Sequence, residues 1–227
     1  MNIRIYDTYD EMSRAAADFV IAQLLLKPES HIGLTAGKTP VGMFAALSES
    51  CRAGAVGFER ATFYNLEEKF GLAADDPATC RNYFHRHLLD LTGITDAQLL
   101  LPDQPADDLG KACAAYDALL YALPGHRLDM QILGIGENAH IGMNHPNEAL
   151  PLGVHRETRG TVEYAAMGLR NILCSERILL LASGAGKAQA VADMCRGDVV
   201  TTAIPATLLQ LHPDVTVLLD REAAARL

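Results

Sequence analysis

Ile132-Leu-Gly-Ile-Gly-Glu-Asn-Ala-His140-Ile-Gly-Met-Asn-His-Pro146 is the stretch that decides the fold. It closes an apolar run, Leu128 to Ile135, that reads as a buried strand. Gly134 and Gly136 break that run into a loop carrying Glu137, Asn138, His140, Asn144 and His145 within nine residues. Polar side chains crowded at a strand end are what an open α/β sheet offers a ligand, because loops at its carboxyl edge converge there.

The flanking chain repeats strand-then-helix on both sides. Ile3 to Tyr6 alternates like a short edge strand, and Thr8 with Glu11 forms a capping box opening a helix through about Leu26. His31 to Thr35 reads as a second strand, and Ala36-Gly-Lys-Thr-Pro40 as the turn into a helix running to about Arg52. In that turn Thr39 is the expected helix cap, Pro40 suits the first helical position, and Gly37 lets backbone N–H groups face outward. Such a turn is either an anion site of the kind phosphate occupies or an ordinary capped connection. It is not a Walker A loop, since the glycine spacing is one residue short.

Ala61 to Leu66 is a third strand, ending in Glu67-Glu68-Lys69. Paired carboxylates there suit acid–base work if one is buried and a solvated loop if neither is. A helix from about Thr79 to Leu89 follows; its His85 and His87 are two apart and do not share a face for a metal ion. Pro102 to Asp108 is an acidic loop and Leu109 to Leu123 an Ala-rich helix. Beyond the central loop lie a polar connection from His155 to Gly160, a strand from Arg177 to Ala182 and a second glycine turn, Ser183 to Lys187. A lysine at a helix start is unfavourable against the dipole unless an anion binds beside it. Val199 to Ile204 and Val215 to Asp220 complete the expected strands, with Pro205 opening a short helix between them. The alternation implies a single domain over residues 1–227: an α/β, doubly wound, mainly parallel sheet with helices on both faces, Rossmann-like.

At 227 residues and 49% hydrophobic the chain can bury a full core. A net charge of -9 without blocks of like charge argues against nucleic acid or an anionic membrane as partner. The five cysteines are scattered and never in C-x-x-C spacing, which fits reduced thiols in a cytoplasmic protein better than a disulfide framework or zinc site. Neither a signal-peptide core nor a membrane-spanning run is evident.

Taken together and in order, these segments resemble the glucosamine-6-phosphate deaminase/isomerase family, which shares its fold with 6-phosphogluconolactonase. Leu34-Thr-Ala-Gly-Lys-Thr-Pro40 is similar to the family's L-P-T-G-G-T-P, Asn65-Leu-Glu-Glu68 to N-M-D-E, and Gly134 to Pro146 to G-x-G-x-D-G-H-I-A-F-N-E-P. Ser183 to Lys187 matches a G-S-Q-K turn, and Gln210-Leu-His-Pro213 recurs near the end. The resemblance implies an acid–base isomerisation of a 2-amino-sugar 6-phosphate, with loss of ammonia and without metal or redox cofactor. It places Gly37, Thr39 and Lys187 on the phosphate, with Arg159 as a fourth member; Glu68 is taken as a further binding residue, and Lys38, which replaces a family glycine, either adds charge to that site or points into solvent. Glu67 takes the place of the base moving a proton between C2 and C1, and His140 that of the ring-opening histidine.

The chemistry asks for these types independently: an imidazole moves protons between ring oxygen and anomeric hydroxyl, and a fixed carboxylate takes the C2 proton. Among the departures from the family, three fall on the catalytic positions. Asn138 stands for an aspartate, His145 for a glutamate, and Glu67 for an aspartate. His140 without carboxylate neighbours should resist protonation, because an opposite charge is what raises an imidazole pKa. His145 either joins the catalysis or is a surface histidine. An amino-sugar-phosphate deaminase, acting on the gluco or galacto epimer, leads the readings. A lactonase-like hydrolase and a sugar-phosphate binder without chemistry stand behind it.

Overall fold

The computed structural model describes residues 1–102 and 108–227; most of the expected acidic loop, 103–107, lies outside them. Its frame is a parallel seven-stranded sheet. The strands are β1 (Asn2–Tyr6), β2 (His31–Leu34), β3 (Thr62–Asn65), β5 (Leu99–Leu100), β6 (Met130–Gly134), β9 (Ile178–Ala182) and β10 (Val215–Asp220), arranged β1-β10-β9-β6-β2-β3-β5. From β2 the chain steps outward through β3 to β5; from β6 it steps the other way through β9 to β10. The order therefore reverses between β2 and β6, and the loops leaving those neighbouring strands diverge into a crevice.

The central strands are apolar at nearly every position because both faces are covered. Their alternate side chains feed two cores. Ile132, Leu179, Leu181 and Leu218 pack with Met12, Val20, Phe44 and Phe84 of α1 (Tyr9–Leu26), α2 (Val41–Arg52) and α3 (Cys80–Phe84). Leu133, Leu180, Val217 and Leu219 face the other way. They meet Tyr116, Ile172 and Met194, which belong to α5 (Leu109–Tyr121), α6 (Leu169–Leu173) and α7 (Ala188–Arg196). This is the doubly wound arrangement that the alternation implies.

Several local expectations are corrected. The Glu67-Glu68-Lys69 segment is no loop: Glu67–Phe70 is strand β4 of a second, antiparallel sheet ordered β4-β8-β7. The polar connection after the central loop is the rest of that sheet, a hairpin of β7 (His155–Arg159) and β8 (Val162–Ala166) turning at Gly160, whose φ is +60°. Its charged, half-exposed face hid it from a search for apolar runs. Val199 to Ile204 forms only an isolated bridge between Thr201 and Ile204, because the Thr207 hydroxyl takes the Thr201 N–H that a strand neighbour would need. The helix opened by Thr79 widens into a π-turn at His85–Leu89 before its last turn, α4 (Asp90–Thr92). The capping box of α1 is as read, with the Thr8 side chain on the Glu11 N–H and the Glu11 carboxylate on the backbone of residue 8.

Candidate active site

The loops at the reversal enclose a cavity of about 720 Å³. Gly37, Lys38 and Thr39 come from the turn after β2, Glu67 from the start of β4, Asn138, His140 and His145 from the loop after β6, and Lys187 from the turn after β9; all eight line it.

Residues 36–40 form the floor on one side. Gly37, at φ +138°, holds the turn open, and its carbonyl accepts the Tyr83 hydroxyl at 2.6 Å. Thr39 does not cap α2. Pro40 occupies the cap position with helical φ and ψ, and the cap is supplied by Tyr9 of α1, whose hydroxyl accepts the Gly42 N–H at 2.7 Å and donates to the Thr39 carbonyl at 3.0 Å. Thr39 is thereby released to face the cavity, and the N–H groups of residues 37–39 have no partner among the described residues. Opposite stands Lys187, the residue capping α7, with no carboxylate in ion-pair range among the described residues. Two helix starts and an ammonium converging on one space suit a phosphate. The Lys187 turn is tied down by Asp220 at the end of β10, which accepts the Ser183 hydroxyl at 2.5 Å and the Gly184 N–H at 3.0 Å. Asp220 escaped the sequence reading; its only signal is a buried acid ending an otherwise apolar strand.

Glu67 and Glu68 point to opposite sides of β4 and play different parts. The Glu67 Oε2 is enclosed without a hydrogen-bond partner, and this burial, aided by the charge of Glu68, pushes the carboxyl up to about 7. Glu68 is not a cavity residue. Its carboxylate accepts the N–H groups of Lys69 at 2.8 Å, Cys80 at 2.7 Å and Arg81 at 2.9 Å, binding the start of α3 to β4. Its expected role in substrate binding is therefore corrected to a structural one.

On the facing wall the His140 and His145 rings lie 4.0 Å apart, tilted by 31°. Both are held at about 4, His140 by burial and then by His145, Lys187 and Arg159, and His145 by burial and Arg159. The resistance to protonation expected of His140 is present and extends to its neighbour. Asn138 bridges their Nδ1 edges: its Oδ1 is 2.6 Å from His140 Nδ1, and its Nδ2 3.5 Å from His145 Nδ1. Gly136 makes room for this wall, since a Cβ there would fall 2.0 Å from His140 Nδ1. Arg159 ends the β7 strand paired with Glu157 at 3.0 Å; it lends charge to the histidines without lining the cavity.

Helix starts, a free lysine, a carboxyl poised near neutrality and neutral imidazoles, gathered at the reversal of a parallel sheet, mark an enzyme that binds a small anion and moves protons on it. The chain belongs to the family of glucosamine-6-phosphate isomerases and 6-phosphogluconolactonases, whose family model matches residues 7–218. Across the full length of both proteins it is 36% identical to a glucosamine-6-phosphate deaminase of Halothermothrix orenii. It is 35% identical to one of Clostridium perfringens, covering 99% of this chain and 98% of that one. A solved monomeric glucosamine-6-phosphate deaminase superposes with a TM-score of 0.94 at 34% identity, covering all of both chains. The 6-phosphogluconolactonase of Trypanosoma brucei, at 21% identity and a TM-score of 0.81 over 100% of this chain and 98% of that one, shares the fold.

Proposed function

We propose that this chain, acting as one domain, converts glucosamine 6-phosphate and water into fructose 6-phosphate and ammonia. The observation that carries the reading is the placement of Glu67, with its carboxyl near 7, in one cavity with the histidine pair and an anion site supplied by two turns. The sugar phosphate lies on the N–H groups of residues 37–39 and on Lys187, with Lys38 adding charge. Binding there, remote from the reacting carbons, fixes C1 and C2 against the acid–base groups. His140 takes the anomeric proton as the C1–O5 bond breaks toward O5, and returns it to that oxygen. The opened aldehyde makes the C2 proton acidic. Glu67 removes it and delivers it to C1, while one proton of the substrate's ammonium group passes to O1; C2 becomes an iminium that water hydrolyses, releasing ammonia. Each step is proton transfer or hydrolysis, and the residue types present supply the acids and bases.

The test is ammonia release with glucosamine 6-phosphate and galactosamine 6-phosphate offered in parallel. Turnover of the gluco epimer is expected, and ammonia from neither would overturn the reading. Lys187→Ala should raise KM by tenfold or more, and Glu67→Gln should abolish turnover with substrate binding retained.

A further inference from the structure

Asn138 has one accepting and one donating end, and each meets an imidazole. Its Oδ1 receives His140 Nδ1–H at 2.6 Å and lies 3.4 Å from the His140 backbone N–H, which fixes which end is the oxygen. Its Nδ2 is then directed at His145 Nδ1, 3.5 Å away, which must be bare to accept it. An amide set between two imidazoles by their Nδ1 atoms holds them in opposite tautomers, whichever way it is turned. A carboxylate in the same place would accept a hydrogen bond from Nδ1–H of both rings and set them alike.

With both Nδ1 atoms turned to Asn138, Nε2 is what each ring has left for the cavity that both line. The two Nε2 atoms are unlike: His140 offers a lone pair and His145 an N–H. We propose that His145 is a catalytic residue acting as a neutral hydrogen-bond donor to O1 of the opened sugar, and that Asn138 is the positioning residue that gives it that tautomer. This rests on the deaminase reading above. No proton leaves His145. As Glu67 takes the C2 proton, the electron pair of that C–H bond forms the C1–C2 double bond and the carbonyl pair moves onto O1, where the His145 Nε2–H meets the growing negative charge. Neutral imidazole suits this part because it donates a hydrogen bond without protonating the enolate outright. His140, bare at Nε2, remains free for the proton transfers of ring opening.

Two measurements test it. Long-range proton–nitrogen correlation spectra of the intact protein should show a protonated Nδ1 and bare Nε2 on His140 and the reverse on His145; the same tautomer on both rings would overturn the proposal. With wild-type turnover of glucosamine 6-phosphate established first, His145→Phe should lower kcat by about 10²-fold or more with KM changed less than about threefold, as for loss of one donor to a developing oxyanion. His145→Gln, which keeps an N–H, should recover part of the loss. Asn138→Asp should lower kcat and turn His145 to the other tautomer. Unchanged kcat in a folded His145→Phe protein that still releases ammonia sinks the assignment of His145 alone. A wild type that releases no ammonia sinks the deaminase reading instead.

Discussion

Glu67 is costly to the fold in the form that makes it useful. Its carboxyl lies near 7 in the folded chain and at an ordinary 4.5 when unfolded. Below 4.5 both states hold the proton and there is no penalty. The penalty grows as pH rises from 4.5 to 7 and is complete above that. Glu67→Gln should therefore be more stable than wild type at pH 8, by on the order of 2–3 kcal/mol, with the difference vanishing near pH 4.5; urea unfolding at the two pH values measures it. The histidines run the other way. With folded values near 4 against an ordinary 6.5, they support the fold fully above 6.5 and lose that support as pH falls toward 4. In catalysis only the ionised Glu67 can take the C2 proton, so kcat/KM should climb through about pH 7. A profile flat from 5.5 to 8 would contradict Glu67 as the base.

Single elements aim these residues, and here the sequence was legible in part. The loop after β6, the turn 36–40 and the turn 183–187 announce themselves through glycines beside chemically distinctive side chains, so seven of the expected site residues stand out there and do meet, together with Glu67, in one cavity. The residues alone make Glu67 and Glu68 equivalent neighbours, and the resemblance, which set Glu67 apart as the base, still put Glu68 on the substrate. Only β4 makes them differ, and β4 depends on a hairpin some ninety residues later whose strands carry too much charge to read as strands. Thr39 was misjudged for the same kind of reason, since its capping role is taken by Tyr9 from another helix. Glu68→Gln should cost about 1–3 kcal/mol of stability, because a buried acceptor of three backbone N–H groups is replaced by one that accepts with a single oxygen. Gly136→Ala should displace the His140 ring and lower kcat by about 10²-fold, checked by steady-state kinetics.

The whole molecule sets the cavity between two halves of the sheet that are wound in opposite directions. The turn 36–40 belongs to one half and Lys187 to the other. An anion bound to both should brace them: fructose 6-phosphate at a hundredfold its Kd should add about 2.7 kcal/mol of stability, visible as a rise in Tm that Lys187→Ala reduces. The local cations reconcile the proposed phosphate site with a net charge of -9. The place of β10 in the sheet has a further consequence, in the order of synthesis. Among the described residues β10 is the only sheet partner of β1, and its Asp220 secures the turn that presents Lys187. During synthesis β1 therefore waits for a partner made far later in the chain, and the turn that carries Lys187 is tied down only once β10 has left the ribosome.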